Sequence, residues 1–128
     1  MSSAAHLAYV RDHREELVTL ALDLIARDTS NPPGDTRAIM TEIEEFLDPL
    51  PVGVERFAVD PAKPNLLVRM PGKSDRTLLY NGHLDTVPFE AEAWTRDPLG
   101  ERVNDRVYGR GATDMKGAVA SMLFAVRA

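Results

Sequence analysis

A histidine and an aspartate separated by one residue follow an apolar run in the middle of the chain. The stretch is "LLYNGHLDTVP", residues 78–88, and the two residues are His83 and Asp85. A neutral imidazole nitrogen is a good zinc ligand, and its second nitrogen usually donates a hydrogen bond to a carboxylate that fixes the tautomer. The types and spacing therefore suit a zinc ligand and the residue that orients it. The alternative is a loop histidine beside a turn-forming aspartate, because so short a motif is weak by itself.

A glycine-rich stretch, "GRGATDMKG" (residues 109–117), contains the second candidate, Asp114. A carboxylate in such a place is able to bridge two metal ions about 3.5–4 Å apart. Two other interpretations stay open. One is a helix N-cap aspartate, which is common and stabilising. The other is a phosphate-binding loop, but position 114 is not the glycine that G-x-G-x-x-G requires, and an aspartate at a helix N-terminus would compete with the anion.

The composition excludes several classes of function. The 128 residues carry a net charge of -5, and no block of basic residues indicates a nucleic-acid partner. No apolar run approaches about 18 residues, so a membrane partner is not expected. The N-terminus has early charges and no apolar core of a secretory signal, which favours a cytoplasmic location. There is no cysteine, so any metal must be held by His, Asp and Glu.

Three helices are predicted around these motifs. Apolar residues recur at helical spacing over residues 6–27, and a second apolar stripe covers residues 36–50. The sequence "TSNPPGDT" separates the two, since prolines and a glycine cannot continue a helix. A third helix is predicted from about Met115 to the end of the chain, where no capping residue follows. We therefore expect the chain to be part of a longer protein.

Three strands are predicted between the second and third helices. They cover residues 54–59, 66–70 and 77–81, which are rich in β-branched and large apolar residues. The links between them are too short for a helical crossover, so neighbouring strands are antiparallel or apart in the sheet. The histidine and aspartate of the first motif follow the third strand, and ligands of open α/β sheets bind at such carboxyl ends. The later stretch "ERVNDRVY" predicts a small hairpin that turns at Asn104-Asp105.

Four motifs together resemble one family closely. "NGHLDTVP" and "YGRGATDMKG" look like sequences of the zinc-dependent amidohydrolases and exopeptidases that include aminoacylase, acetylornithine deacetylase, succinyl-diaminopimelate desuccinylase and glutamate carboxypeptidase. "RDTSNPPG" (residues 27–34) and "WTRDP" (residues 94–98) are similar to that family too, and in the same order. The resemblance therefore spans nearly the whole chain.

The resemblance implies roles for three residues. His83 matches a ligand of one zinc, Asp85 matches the carboxylate that orients this histidine, and Asp114 matches the aspartate that bridges both zincs. It also implies a non-proline cis peptide bond between Asp114 and Met115. The cofactors of a complete relative would be two zinc ions. Its substrates would be N-acyl amino acids or short peptides with a free carboxylate, cleaved at the amide bond.

The resemblance also implies an architecture and a set of missing parts. The expected fold is a three-layer α/β/α arrangement with a mixed sheet, and residues 1–128 would be the N-terminal part of this catalytic domain. The general base of the family, the remaining metal ligands and the lid (dimerisation) domain would all lie outside the chain. We therefore expect the isolated chain to bind zinc weakly or not at all and to be inactive. The alternative is a non-catalytic structural or interaction unit that self-associates or needs a partner.

Overall fold

The computed structural model describes residues 3–128 and contains helices and two small antiparallel sheets, which confirms the α/β class. The elements follow in the order α1 (Ser3–Asp12), α2 (Arg14–Ala26), α3 (Arg37–Leu47), β1 (Gly53–Phe57), β2 (Asn65–Arg69), a 3₁₀ helix (Ala91–Ala93), β3 (Glu101–Val103), β4 (Arg106–Tyr108), a π-type turn (Ala112–Lys116) and α4 (Gly117–Arg127). Over residues 3–128, no helix has both the length and the apolar character needed to span a membrane.

The core lies between α2, α3 and α4. Each of these helices has an apolar stripe at a spacing of three and four residues, and the three stripes face one another. The buried members are Leu20, Leu24, Ile39, Ile43, Leu47, Val119, Ala120, Leu123 and Phe124. Burying a large apolar side chain contributes roughly 1.5–3 kcal/mol, so this cluster is the main source of stability in the described chain. It also fixes α4, the helix that follows the glycine-rich motif.

The first predicted helix is divided in two. A single helix was expected over residues 6–27, but α1 and α2 meet at His13, whose backbone (φ -110°, ψ 23°) is not helical. The carbonyl oxygen of Tyr9 accepts hydrogen bonds from both the backbone N–H and Nδ1 of His13, at 3.0 and 2.8 Å. A side chain that bonds to a nearby backbone carbonyl competes with the helical pattern. The imidazole also stacks on the Tyr9 ring, with 4.1 Å between the centroids.

The first two predicted strands form and pair with each other. β1 and β2 are antiparallel, with Val54 opposite Val68 and Arg56 opposite Leu66. This confirms one of the two pairings that the short link permitted. β2 packs Leu66 and Val68 against the helical core, whereas every residue of β1 is exposed.

The third predicted strand is wrong for this chain as the structure describes it. Residues 77–81 form no ladder, and the side chains of Leu78 and Leu79 are 77% and 76% exposed. A strand needs a neighbour to satisfy its N–H and C=O groups, and no described strand pairs with this segment. The sequence has the apolar, strand-forming composition, but pairing is a property of two segments. His83 therefore follows an unpaired segment and not the end of a sheet strand.

The predicted hairpin is confirmed. β3 and β4 pair antiparallel, and the turn passes through Asn104, whose φ is +54°. Asparagine tolerates this left-handed conformation better than most residues. Arg102 of the hairpin forms an ion pair with Glu15 of α2. The hairpin is thus held against the helical side, and it leads directly into the glycine-rich motif.

Candidate metal centre

The structure brings together His83, Asp85 and Asp114, the three residues singled out in the sequence. The Nε2 atom of His83 lies 3.1 Å from Oδ1 of Asp114. Its Nδ1 atom lies 3.0 Å from the backbone oxygen of Asp85 and 3.2 Å from Oδ1 of the same residue. Each ring nitrogen therefore faces one aspartate, so the imidazole is oriented from both sides.

The electrostatics of the imidazole follow from this geometry. Burial acts to lower the pKa of His83, because it disfavours the charged ring. The hydrogen bonds to the Asp85 carbonyl oxygen and the Asp114 carboxylate, with the two negative charges, outweigh burial and raise the pKa of His83 above its usual value. The two aspartates therefore favour the charged form of the His83 ring more than water alone does.

Asp85 is fixed in turn by Asn31. The Asn31 side-chain amide donates a hydrogen bond of 3.0 Å to Oδ2 of Asp85. This bond is the main reason that the pKa of Asp85 is lowered, with the nearby His83 also contributing. A chain of contacts therefore runs from Asn31 through Asp85 and His83 to Asp114. Replacing a polar residue that orients a metal-binding histidine in this way typically lowers metal affinity or activity by about 10–100-fold.

The loop after His83 is pinned to the loop after α2. The backbone N–H of Thr86 donates to the Thr29 oxygen at 3.1 Å, and the backbone N–H of Asn31 donates to the Thr86 oxygen at 2.8 Å. The buried Thr29 hydroxyl donates to the backbone oxygen of Leu84 at 2.7 Å. These three hydrogen bonds hold the backbone of residues 29–31 in a fixed register against the backbone of residues 84–86.

Asp114 lies in the irregular turn that precedes α4. Its backbone (φ -123°, ψ 94°) is not helical, and the bond to Met115 is a non-proline cis peptide, as the resemblance implied. The side chain is 83% exposed and faces His83. The helix-cap alternative is wrong, because the N-cap of α4 is Lys116 and no side chain caps this helix.

Gly111 allows the turn to approach the Thr86 loop. Its φ of +82° favours glycine, and a Cβ atom at this position would lie 2.7 Å from Cγ2 of Thr86. Gly109 is similarly crowded, since its Cβ would lie 2.4 Å from Cγ2 of Ile25. These two glycines therefore allow the motif to pack closely against Ile25 of α2 and against Thr86.

The buried Lys116 holds the turn before α4 in place. It is 1% exposed, and its Nζ donates a hydrogen bond to the backbone oxygen of Arg27. Burial lowers the pKa of Lys116 to about 8, although the charges of Asp28 and Glu42 oppose this shift. The ammonium group thus ties the start of α4 to the end of α2, between the two loops that form the site.

A cavity of about 460 Å³ opens beside His83 and Asp114. Asn31, Asp85, Trp94, Arg110 and Thr113 also line it. The Arg110 guanidinium lies over the Trp94 ring, with 5.1 Å from its Cζ to the ring centre, and Phe89 packs edge-on against the same tryptophan. Trp94 is therefore part of the cavity wall.

The donor set suits zinc in its chemistry but is incomplete for a catalytic ion. An imidazole nitrogen and a carboxylate oxygen are ordinary zinc ligands, and Asp85 lies on the opposite nitrogen, where an orienting carboxylate belongs. A catalytic zinc takes three protein ligands. Residues 3–128 contain no cluster of three or more His, Cys, Asp or Glu that could hold a metal. His83 and Asp114 therefore supply at most part of a site.

Three contributors were not assigned a role from the sequence alone. Asn31 lies in a motif that carried the resemblance, but nothing in its neighbourhood along the chain indicates the bond to Asp85. Arg110 lies in the glycine-rich motif, but within this motif the sequence indicated a functional side chain only at Asp114. For Lys116 a signal existed, because it precedes Val119, Ala120 and Leu123 at the spacing of one helical face.

The class of protein follows from comparison with known sequences. Residues 79–128, which contain His83, Asp85 and Asp114, match the family described as Peptidase family M20/M25/M40. The recognition made from the motifs is therefore confirmed for these residues, which match a family of amidohydrolases and metallopeptidases.

Curated relatives match over almost the whole chain. An N-formyl-4-amino-5-aminomethyl-2-methylpyrimidine deformylase of Bacillus subtilis is 37% identical over 92% of this chain and 29% of its own length. A succinyl-diaminopimelate desuccinylase of Methylobacterium radiotolerans is 39% identical over 91% of the chain and 31% of its own length. An acetylornithine deacetylase of Aliivibrio fischeri is 31% identical, again over 91% of the chain, and 30% of its own length. The chain spans about 30% of the length of these relatives.

Proposed function

We propose that the chain is the N-terminal part of a two-zinc hydrolase that cleaves the amide bond of N-acyl amino acids or short peptides. The observation that carries the proposal is the 3.1 Å contact between His83 and Asp114, with Asp85 on the other ring nitrogen. The names of the relatives, a deformylase, a desuccinylase and a deacetylase, support the class of reaction. The cytoplasmic location expected from the sequence is kept as part of the proposal.

We assign the three residues as follows. His83 would hold one zinc, and Asp114 would be shared between this zinc and a second one. Asp85, held by Asn31, keeps the Nδ1 proton of His83 in place, so that Nε2 faces the metal. Zinc would supply Lewis-acid chemistry, which polarises a carbonyl group and makes water more acidic. The chain's own contribution is to fix these groups and to shape the cavity in which the acyl group lies.

The proposal includes an architecture. In the complete protein, residues 1–128 would be the N-terminal part of a three-layer α/β/α domain with a mixed sheet. The unpaired segment 77–82 would be one of its strands, and the lid domain and the remaining ligands would come from elsewhere in the protein. Three helices that already share one core support this assignment, since they would form one outer layer.

With two ligands in place of three, the isolated chain should bind zinc weakly and hydrolyse no amide. Zinc titration by calorimetry tests the ligand assignment. We expect His83→Ala to abolish the uptake of zinc and Asp114→Asn to weaken it about tenfold or more. His6→Ala is the matched control, because His6 is exposed and lies far from the cavity in sequence; this variant should bind zinc as the unaltered chain does.

Two results would contradict these assignments. Zinc uptake that is unchanged in His83→Ala would remove the proposed site. Zinc-dependent turnover of N-acetyl or N-succinyl amino acids by the isolated chain, lost in His83→Ala, would show that the chain needs no further residues. The native gene product, loaded with zinc, is expected to hydrolyse such substrates, and the absence of any turnover there would sink the proposed reaction.

The exposed segment 77–82 favours a second candidate function, that of a structural or interaction unit. Leu78, Leu79 and Tyr80 place a row of apolar side chains and unpaired backbone groups in solvent. Such an edge pairs readily with another chain. Sedimentation analysis would then detect self-association, which Leu79→Lys should weaken. A strictly monomeric chain at high concentration would count against this candidate.

A further inference from the structure

Arg110 differs from the other arginines of the described chain because it is partly buried and also has no carboxylate partner. Seven arginines form ion pairs with Asp or Glu: Arg14, Arg27, Arg37, Arg56, Arg96, Arg102 and Arg127. Four more have no ion pair within residues 3–128 but are exposed to water: Arg11, Arg69, Arg76 and Arg106. Arg110 alone in this part of the chain is partly buried without an ion pair.

The guanidinium of Arg110 is also held in place. The backbone N–H of Arg110 donates a hydrogen bond to the Pro98 oxygen at 2.7 Å, and the guanidinium group lies over the Trp94 ring. Phe89 supports Trp94 from the side. The Nε atom is buried and has no hydrogen-bond partner among the described residues. A buried donor without a partner is costly, so a partner from outside the chain would be stabilising.

The position of Arg110 indicates what that partner is. It lines the same cavity as His83 and Asp114, and the cavity is large enough for a small ligand. A guanidinium stacked on an aromatic ring still presents a flat edge of N–H donors, which matches the two oxygens of a carboxylate. A lysine in the same place would offer only a point charge.

We infer that Arg110, supported by Trp94, is a binding residue for the free carboxylate of the substrate. This inference rests on the proposed function, because it takes the acyl group to lie at His83 and Asp114. Arg110 then orients the substrate from another part of the wall of the same cavity. It touches the substrate away from the amide bond, so it determines specificity for acids over amides and takes no part in bond cleavage.

Trp94 is the only tryptophan of the chain, so its fluorescence reports on this site directly. The probe is N-acetylglycine, and N-acetylglycinamide serves as its neutral counterpart. We expect N-acetylglycine to change the Trp94 emission saturably, and the neutral amide to bind about tenfold more weakly. Arg110→Gln should weaken the binding of N-acetylglycine about tenfold. Arg110→Lys should weaken it about fivefold, because lysine keeps the positive charge but lacks the two parallel N–H donors of the guanidinium.

The matched control is Arg106→Gln, which removes an exposed arginine of the adjacent hairpin. It should bind N-acetylglycine as the unaltered chain does, and far-ultraviolet circular dichroism should show that all variants fold. The inference is overturned if N-acetylglycine does not bind, if the neutral amide binds equally well, or if Arg106→Gln weakens binding as much as Arg110→Gln.

Zinc titration of the same variants separates this inference from the proposed function. If Arg110→Gln binds zinc normally but N-acetylglycine binding does not depend on Arg110, the carboxylate site fails and the metal site stands. If N-acetylglycine binding depends on Arg110 but zinc uptake does not depend on His83, the proposed metal centre fails and an anion site remains.

Discussion

Similar apolar residues are buried on the helical side of the molecule and exposed in the segment before His83. In α2, α3 and α4 these residues face one another and are buried. In residues 77–82 they face solvent, and no described strand pairs with the segment. The candidate metal centre lies between the two regions, since Asp114 precedes α4 and His83 follows the exposed segment.

This comparison separates two requirements of a fold. A helix satisfies its own backbone hydrogen bonds and needs only a packing partner for its apolar stripe. A strand needs a second strand before it is formed at all. Three helices from this chain therefore complete a core, whereas residues of good strand composition remain unpaired beside it.

The largest expected effect comes from the core. Phe124→Ala removes a ring that is 1% exposed between α2, α3 and α4, and should lower the free energy of unfolding by about 3–5 kcal/mol. Leu79→Ala removes a similar amount of apolar surface from the exposed segment and should change it by no more than about 0.5 kcal/mol. Chemical denaturation measures both.

The contrast between the two variants is the informative quantity. Equal losses in Phe124→Ala and Leu79→Ala would mean that the exposed segment is packed in solution, through folding or self-association. Repeating the measurement over a range of protein concentrations distinguishes these two outcomes, because only association makes stability depend on concentration.

A medium effect is expected at Lys116, which joins the core to the site. Lys116→Met keeps the buried volume but leaves the Arg27 oxygen without its donor, so a loss of about 1–2 kcal/mol is expected. Lys116→Ala adds a cavity and should cost about 2–4 kcal/mol. Thermal unfolding of both variants checks the order. If methionine proves more stable than lysine, the buried charge costs more than its hydrogen bond contributes.

The smallest effect is expected at Asp35, which precedes α3 at the edge of the helical side. Its carboxylate accepts hydrogen bonds from the Arg37 side chain and backbone N–H, which lower the pKa of Asp35 to about 2. Because this pKa lies below the ordinary value, the contribution to stability is present at neutral pH and is lost as the pH falls from about 4 to 2.

Asp35→Asn should therefore lower the melting temperature slightly at pH 7, and this effect should become smaller as the pH falls to 2. Asp75→Asn is the matched control, because Asp75 is exposed and forms no ion pair in the described chain. A difference between Asp35→Asn and the unaltered chain that is as large at pH 2 as at pH 7 would mean that charge is not the cause.

Much of the fold could be predicted from local patterns. The stripes of α2, α3 and α4 and the hairpin at Asn104 are encoded by spacing and turn residues, and both are present. The break at His13 was missed because it depends on an imidazole bonding to the Tyr9 oxygen, which periodicity does not reveal. The failed strand at 77–81 depends on a partner segment, and residue preference alone does not supply one.

The candidate site divides in the same way. The short motifs located His83, Asp85 and Asp114, and the structure brings these three together, while their roles at a metal remain a proposal. The contact of Asn31 with Asp85 and the stacking of Arg110 on Trp94 join residues far apart in sequence. Such pairs follow from how loops meet, and a single sequence does not show which loops meet.

His83 is anchored on one side only. The residues that follow it are hydrogen bonded to the loop at 29–31, while the residues that precede it have no pairing strand in the described chain. Ordering the histidine at a metal therefore also requires ordering its free side. Anything that pairs with residues 77–82 would raise metal affinity at His83, and by thermodynamic reciprocity the metal would strengthen that pairing by the same factor. If His83 binds zinc as proposed, the zinc affinity of this chain would therefore increase as more of its sheet is paired.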